Sequence, residues 1–151
     1  MILSALLGNT PLVAGLLAWS FAQTIKLPIG YLQNRTWDWS LLLRPGRMPS
    51  SHSALITAAS LGVGLTEGFD SPLFGLSVAL ALIVVYDATG IRRQAGRHAE
   101  TLNALIRDLF ESHQLRHQEL REVLGHSPLE ALVGVLIGLA IAILVFVFWP
   151  F

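Results

Sequence analysis

The chain has 151 residues, 53% of them hydrophobic and 13% charged, with a mean hydropathy of +0.59, whereas a soluble domain carries roughly a quarter charged residues. Ten basic residues balance ten acidic ones, so no net charge draws the chain to nucleic acid. The absence of cysteine excludes a disulfide framework, a thiolate zinc site, an iron–sulfur cluster and a cysteine nucleophile.

The length fits one domain over residues 1–151, and the distribution of charge makes it a membrane-embedded one. Basic residues fall at 26–47 and 92–121, leaving apolar stretches at about 10–27, 53–66, 72–88 and 128–149. Met1 to Asn9 carry no basic residue and do not read as a cleaved secretory signal. The first stretch follows Asn9-Thr10-Pro11, a cap and proline that start a helix. It is long enough to cross a bilayer, which takes roughly 20 apolar residues. The second and third stretches are shorter. Glu67-Gly68-Phe69-Asp70-Ser71-Pro72 joins them and reads as a tight hairpin turn.

Further along, Ala95 to Glu122 favours a helix, with Leu102, Leu105, Ile106 and Leu109 at helical spacing. It predicts an amphipathic helix on the cytoplasmic membrane surface, or one packed on the protein's own cytoplasmic face. The last span follows Ser127-Pro128. Within it, Gly134 and Gly138 have the spacing that lets two helices approach closely, which leaves a homo-oligomer open. The expected fold is all-α: an integral membrane bundle of four transmembrane helices plus the cytoplasmic amphipathic helix. Both long polar loops are basic and the turn is acidic. The positive-inside rule then places both loops in the cytoplasm and both termini outside.

The polar residues gather in short segments at the expected cytoplasmic boundary. These are Arg44-Pro45-Gly46-Arg47-Met48-Pro49-Ser50-Ser51-His52-Ser53, Asp87-Ala88-Thr89-Gly90-Ile91-Arg92-Arg93-Gln94-Ala95-Gly96-Arg97, and Leu124-Gly125-His126-Ser127-Pro128-Leu129-Glu130, with Lys26 at the end of the first span. The set suits phosphate. Arginine offers a planar fork and lysine a point charge, and Ser50 to Ser53 begin a helix whose first amides favour an anion. His52 and His126 can supply a nucleophile and a proton donor near neutral pH. His126 and Glu130 are spaced i, i+4, so the carboxylate can hold one imidazole N–H and leave the other nitrogen to attack phosphorus. His113 and His117 share that spacing, but no third metal ligand accompanies them.

These segments, together with Gln23-Thr24-Ile25-Lys26 and Leu102-Asn103, resemble the divergent membrane branch of the type 2 phosphatidic acid phosphatase and vanadium haloperoxidase superfamily. The resemblance covers nearly the whole chain. It implies that His52, in Pro49-Ser50-Ser51-His52, protonates the leaving alkoxide. It implies that His126, followed by Glu130, forms a phosphohistidine that water hydrolyses. Lys26, Ser50, Ser51, Arg92 and Arg93 would bind the substrate phosphate, and the scheme requires neither metal nor cofactor. The superfamily has Gly where Ser51 stands and Asp where Glu130 stands. Seventeen residues separate Lys26 from Arg44-Pro45 where the superfamily has six, and Arg121 stands one position too close to His126.

The expected partners are membrane lipid and a lipid phosphate substrate, with no nucleic acid. The function expected is hydrolysis of a lipid phosphate monoester or pyrophosphate at the cytoplasmic leaflet, such as phosphatidate or phosphatidylglycerophosphate. The alternative is a non-catalytic binder of anionic lipid, or a structural membrane protein, that keeps the phosphate site without turnover.

Overall fold

The structure, a computed structural model, describes residues 2–42, 47–110 and 125–149, and among them every regular element is helical. A six-residue helix α1 (Ile2–Leu7) precedes α2 (Thr10–Thr24). The Asn9 side chain accepts from the Leu12 amide at 3.0 Å, so the expected cap is present. Next comes α3 (Lys26–Asn34), separated from α2 at Ile25. Pro28 explains the break, because it lacks the N–H that would have bonded the Thr24 carbonyl. A 3-10 turn (Trp39–Leu42) follows, and Gln23 donates to the Leu42 carbonyl at 2.5 Å.

After it, α4 (Ser51–Glu67) ends at Gly68, whose φ of 94° only glycine adopts freely. The expected hairpin turn leads into α5 (Pro72–Thr89), capped by the Ser71 hydroxyl accepting from the Phe74 amide at 3.2 Å. Gly90 separates α5 from α6 (Ile91–Phe110), which starts four residues before the amphipathic run read from the sequence. Residues 111–122 of that run lie outside the described residues. Finally α7 (Pro128–Phe148) runs back across the bundle.

Helix α4 is the centre, packed between α2, α7 and α5. Small residues hold these contacts: Ala14, Ala18 and Ala22 of α2, Ala54 and Ala58 of α4, and Ala142 of α7 are all buried. Glycines mark the closest approaches. A Cβ on Gly62 would sit 2.8 Å from Pro11 Cα, and one on Gly138 would sit 2.6 Å from the Ala54 carbonyl oxygen. One on Gly134 would run into the Ser50 carbonyl. Among lipid tails, which are as apolar as leucine, such backbone proximity holds helices together better than large side chains do. The Gly134–Gly138 spacing thus serves a contact within the chain, between α7 and α4. Large apolar residues such as Leu80, Leu136 and Ile143 lie on the outside.

Among the described residues, three segments are long and apolar enough to cross a membrane: Thr10–Asn34, Pro72–Ile106 and Pro128–Phe148. The Pro72–Ile106 segment has 35 residues, about 52 Å at ~1.5 Å per residue, which exceeds a hydrocarbon core of about 30 Å. Its polarity changes at Gly90, so α5 alone matches that thickness. The central α4 has 17 residues.

The helices alternate in direction. One end of the bundle therefore gathers Lys26, Arg47, Ser50, His52, Arg93, His126 and Glu130. The other end holds Glu67, Asp70 and Trp149, whose indole N–H donates to the Leu7 carbonyl at 2.9 Å.

Gly138→Val should therefore lower stability by about 1–3 kcal/mol, the usual range for overpacking. Gly75→Ala, where a Cβ meets nothing within 4 Å, should leave it equal or slightly raised. Thermal unfolding of both variants in detergent checks this.

Candidate functional site

The site grows from the first turn of α7. Its first residue, Pro128, has no N–H to satisfy, and side chains serve the other unpaired amides of this helix start. The Ser127 hydroxyl accepts from the Glu130 amide at 3.3 Å, and Glu130 Oε2 accepts from the Ser127 amide at 3.0 Å, forming a capping box. The same Oε2 lies 3.1 Å from His126 Nδ1. With the carboxylate as acceptor, Nδ1 carries the proton and Nε2 keeps its lone pair. The expected His126–Glu130 pair is therefore in contact, with His126 only 7% exposed.

Two backbone bonds fix this turn in the bundle. The His126 amide donates to the Ala88 carbonyl at the end of α5, and the Ser50 amide donates to the Glu130 carbonyl, each at 3.0 Å. The start of α4, the end of α5 and the start of α7 thus meet, and the described parts of all three polar segments singled out in the sequence reach the same end of the bundle.

Within α4's start, the Ser50 hydroxyl accepts from the Ser53 amide at 3.3 Å and from the Ser53 hydroxyl at 2.9 Å, and Ser50 is wholly buried. It acts as an N-cap. Ser51 is buried in the first turn, and His52 is exposed there. Arg93 is half-buried in the first turn of α6. Arg92 shares that turn, but its side chain, like Arg44 and Arg121, lies outside the described residues.

Lys26 opens α3 and is only 3% exposed. Its ammonium has three donors, and Nζ gives one of them to Gln23 Oε1 at 2.9 Å. The Glu130 carboxylate attracts this ammonium. Both line a pocket of about 220 Å³ with Ile29, Gly30, Gln33, Arg47, Met48, Ser127 and Leu129. One water takes about 30 Å³, so the space admits a larger polar group.

Glu130 accordingly belongs to both the histidine and the lysine pocket. His126, His52, Ser50 and Ser51 do not line that pocket. Among the described residues, no group of three or more His, Asp or Glu could hold a metal ion. The sequence reading took Ser127-Pro128 as a helix start, which the structure shows, but overlooked the reciprocal bonds of Ser127 and Glu130, Gln23 as the lysine's partner, and Arg47 as a lining residue. The Ser127-x-x-Glu130 pattern is itself a sequence signature for the box.

These features define a helical membrane protein with an ordered histidine–carboxylate pair beside a buried lysine. The chain belongs to the Divergent PAP2 family, whose model matches residues 7–141. It is 41% identical to the uncharacterized membrane protein YuiD of Bacillus subtilis (strain 168), over 95% of this chain and 98% of that one. No solved structure matches.

Ser127→Ala removes a helix cap and should cost about 1 kcal/mol. Glu130→Gln keeps an oxygen for the Ser127 amide and should cost less than Ser127→Ala. Unfolding midpoints of the two variants, measured side by side, test whether the box is held chiefly through Ser127.

Proposed function

We propose that the protein is a membrane phosphatase that hydrolyses a lipid phosphate monoester or pyrophosphate at the cytoplasmic leaflet. The observation that carries this reading is the Glu130 carboxylate, which meets His126 Nδ1 at 3.1 Å and lines the pocket of the buried Lys26. Membership of the Divergent PAP2 family supports it.

The substrate phosphate sits against Lys26 and the basic first turn of α6, with Arg92 and Arg93. His126 Nε2 attacks phosphorus and the bond from phosphorus to the alkoxide oxygen breaks. His52 gives its proton to that oxygen. Glu130 holds His126 in the tautomer with Nε2 unprotonated and stabilises the positive charge that develops on the ring. Water then attacks the phosphohistidine and gives up a proton to His52, and inorganic phosphate leaves. Ser50 and Ser51 serve this scheme by fixing the helix start that carries His52.

In the same reading the chain crosses the membrane four times, through α2 with α3, α4, α5 and α7. The amphipathic α6 lies on the cytoplasmic surface, and both termini face outward. The exposed apolar positions Ile91, Leu102 and Leu105 of α6 support the surface placement.

A second reading is binding of anionic lipid without turnover. The use of the Ser50 hydroxyl as a buried cap favours it.

Phosphate release by the detergent-purified protein from phosphatidate, phosphatidylglycerophosphate and prenyl pyrophosphates separates the two. Turnover should persist in chelator and fall at least about a thousandfold in His126→Ala, as expected when a nucleophile is removed. His52→Ala and Glu130→Gln should each lower kcat at least about a hundredfold, the scale of general acid–base catalysis. Binding without release in the unmodified protein would establish the second reading.

Because the chain has no cysteine, single introduced cysteines report sidedness cleanly. Asp70→Cys should react with an impermeant maleimide added to intact cells, and Arg97→Cys only after permeabilisation. The reverse pattern would move the site to the outer leaflet.

A further inference from the structure

Two residues other than glycine have left-handed backbone among those described, Arg35 at φ 57° and Arg47 at φ 61°. Side chains disfavour that region, so each position calls for a reason. Arg35 has a local one. It is the C-cap of α3, with its amide donating to the Tyr31 carbonyl at 2.7 Å, where helices commonly turn left-handed. Arg47 stands outside every described helix, and its side chain is exposed. No hydrogen bond or ion pair joins it to the described residues. It nevertheless lines the Lys26 pocket.

The charges in that pocket give Arg47 a task. Lys26 contributes one positive charge and Glu130 one negative charge, which cancel. An anion entering there would meet no net attraction from this pair. Arg47 makes the pocket net positive. The remaining walls are of two kinds: Ser127 and Gln33 are polar, whereas Ile29, Met48 and Leu129 are apolar. Leu129 is 61% exposed on the outside of α7, so the apolar wall continues onto the face that meets lipid.

We propose that Arg47 is the second cation of this pocket, clasping with Lys26 the phosphate of a lipid phosphomonoester whose chain runs along Ile29, Met48 and Leu129. The inference rests on the phosphate reading given above and adds a selectivity to it. A monoester presents three terminal oxygens and up to two charges. It can satisfy the arginine fork and the lysine ammonium together. A phosphodiester such as phosphatidylcholine has two non-bridging oxygens and one charge, and satisfies them poorly.

The test uses the full-length protein in an uncharged detergent, with binding read by titration calorimetry. The probes are dioctanoyl phosphatidate, inorganic phosphate and dioctanoyl phosphatidylcholine. Arg47→Gly should bind phosphatidate at least about tenfold more weakly, or about 1.4 kcal/mol. Arg47→Lys should recover part of the loss. Arg35→Gly relieves the same backbone conformation outside the pocket and should bind as the unmodified protein does, with neither glycine variant melting lower. Phosphatidylcholine should bind far more weakly than phosphatidate. Unchanged phosphatidate affinity in Arg47→Gly, with binding lost in Lys26→Gln, would overturn the role of Arg47 and leave the phosphate reading standing. Inorganic phosphate binding as tightly as phosphatidate would overturn the apolar path. No binding of either phosphate by the unmodified protein would overturn the underlying reading, and this inference with it.

Discussion

Everything at the polar end depends on how closely α7 lies against α4. Gly134 and Gly138 have no side chain between the two backbones, and a methyl group on either would strike a carbonyl of Ser50 or Ala54. In a bilayer, apolar side chains gain little by leaving lipid for protein. Close contact over a long helix face must therefore supply the attraction. Here that contact begins at the polar end of both helices. It sets the Ser50 amide 3.0 Å from the Glu130 carbonyl and so joins the Pro49–His52 segment to the His126–Glu130 segment.

Glu130 turns that junction into a chemical arrangement. Its carbonyl accepts from α4, its amide is capped by Ser127, and its carboxylate accepts from the Ser127 amide and meets His126. The carboxylate also faces the Lys26 pocket. Each bond restrains the others, because a shift of the side chain toward the lysine would give up the cap and the histidine together. A longer glutamate where the superfamily has aspartate is compatible with this arrangement, since one oxygen serves both the cap and the ring.

Much of this was legible in the sequence for simple physical reasons. Charge is so costly inside a bilayer that gaps between arginines outline the apolar helices. Asn9, Ser71 and Ser127 stand directly before proline-containing helix starts, and all three cap. His126 and Glu130 do meet, but His126 stands one residue before the N-cap of α7, and the glutamate folding back in the capping box, not a helical turn, brings the two side chains together. What the sequence concealed was mostly three-dimensional. A glycine pair announces close approach without naming its partner, and α4 within the same chain proved to be one. A serine in a phosphate-binding motif can equally cap a helix, and Ser50 does so. Arg47 is one of several arginines in a polar loop, and its nearness to Lys26 requires the turn between α3 and α4. The break at Ile25 was readable from Pro28 but hidden by the continuous apolar stretch.

The bundle is also unevenly knit. Helices α2, α4 and α7 share a buried seam of alanines and glycines. Helix α5 has Ala88 as its buried residue and leans on α4, with Ser60 donating to the Ser77 carbonyl at 2.9 Å as a polar tie between them. Its other anchor is the Ala88 carbonyl, which holds the His126 amide. Of the helices α2, α4, α5 and α7, α5 thus has the fewest buried residues. Under mechanical load, or in a thinning bilayer, the arm formed by α5 and α6 would peel away before the three-helix body parts. Such a partial opening would release His126 from its backbone hold while leaving the Glu130 cap intact, so the resistance of the arm to peeling also measures how firmly the imidazole is aimed.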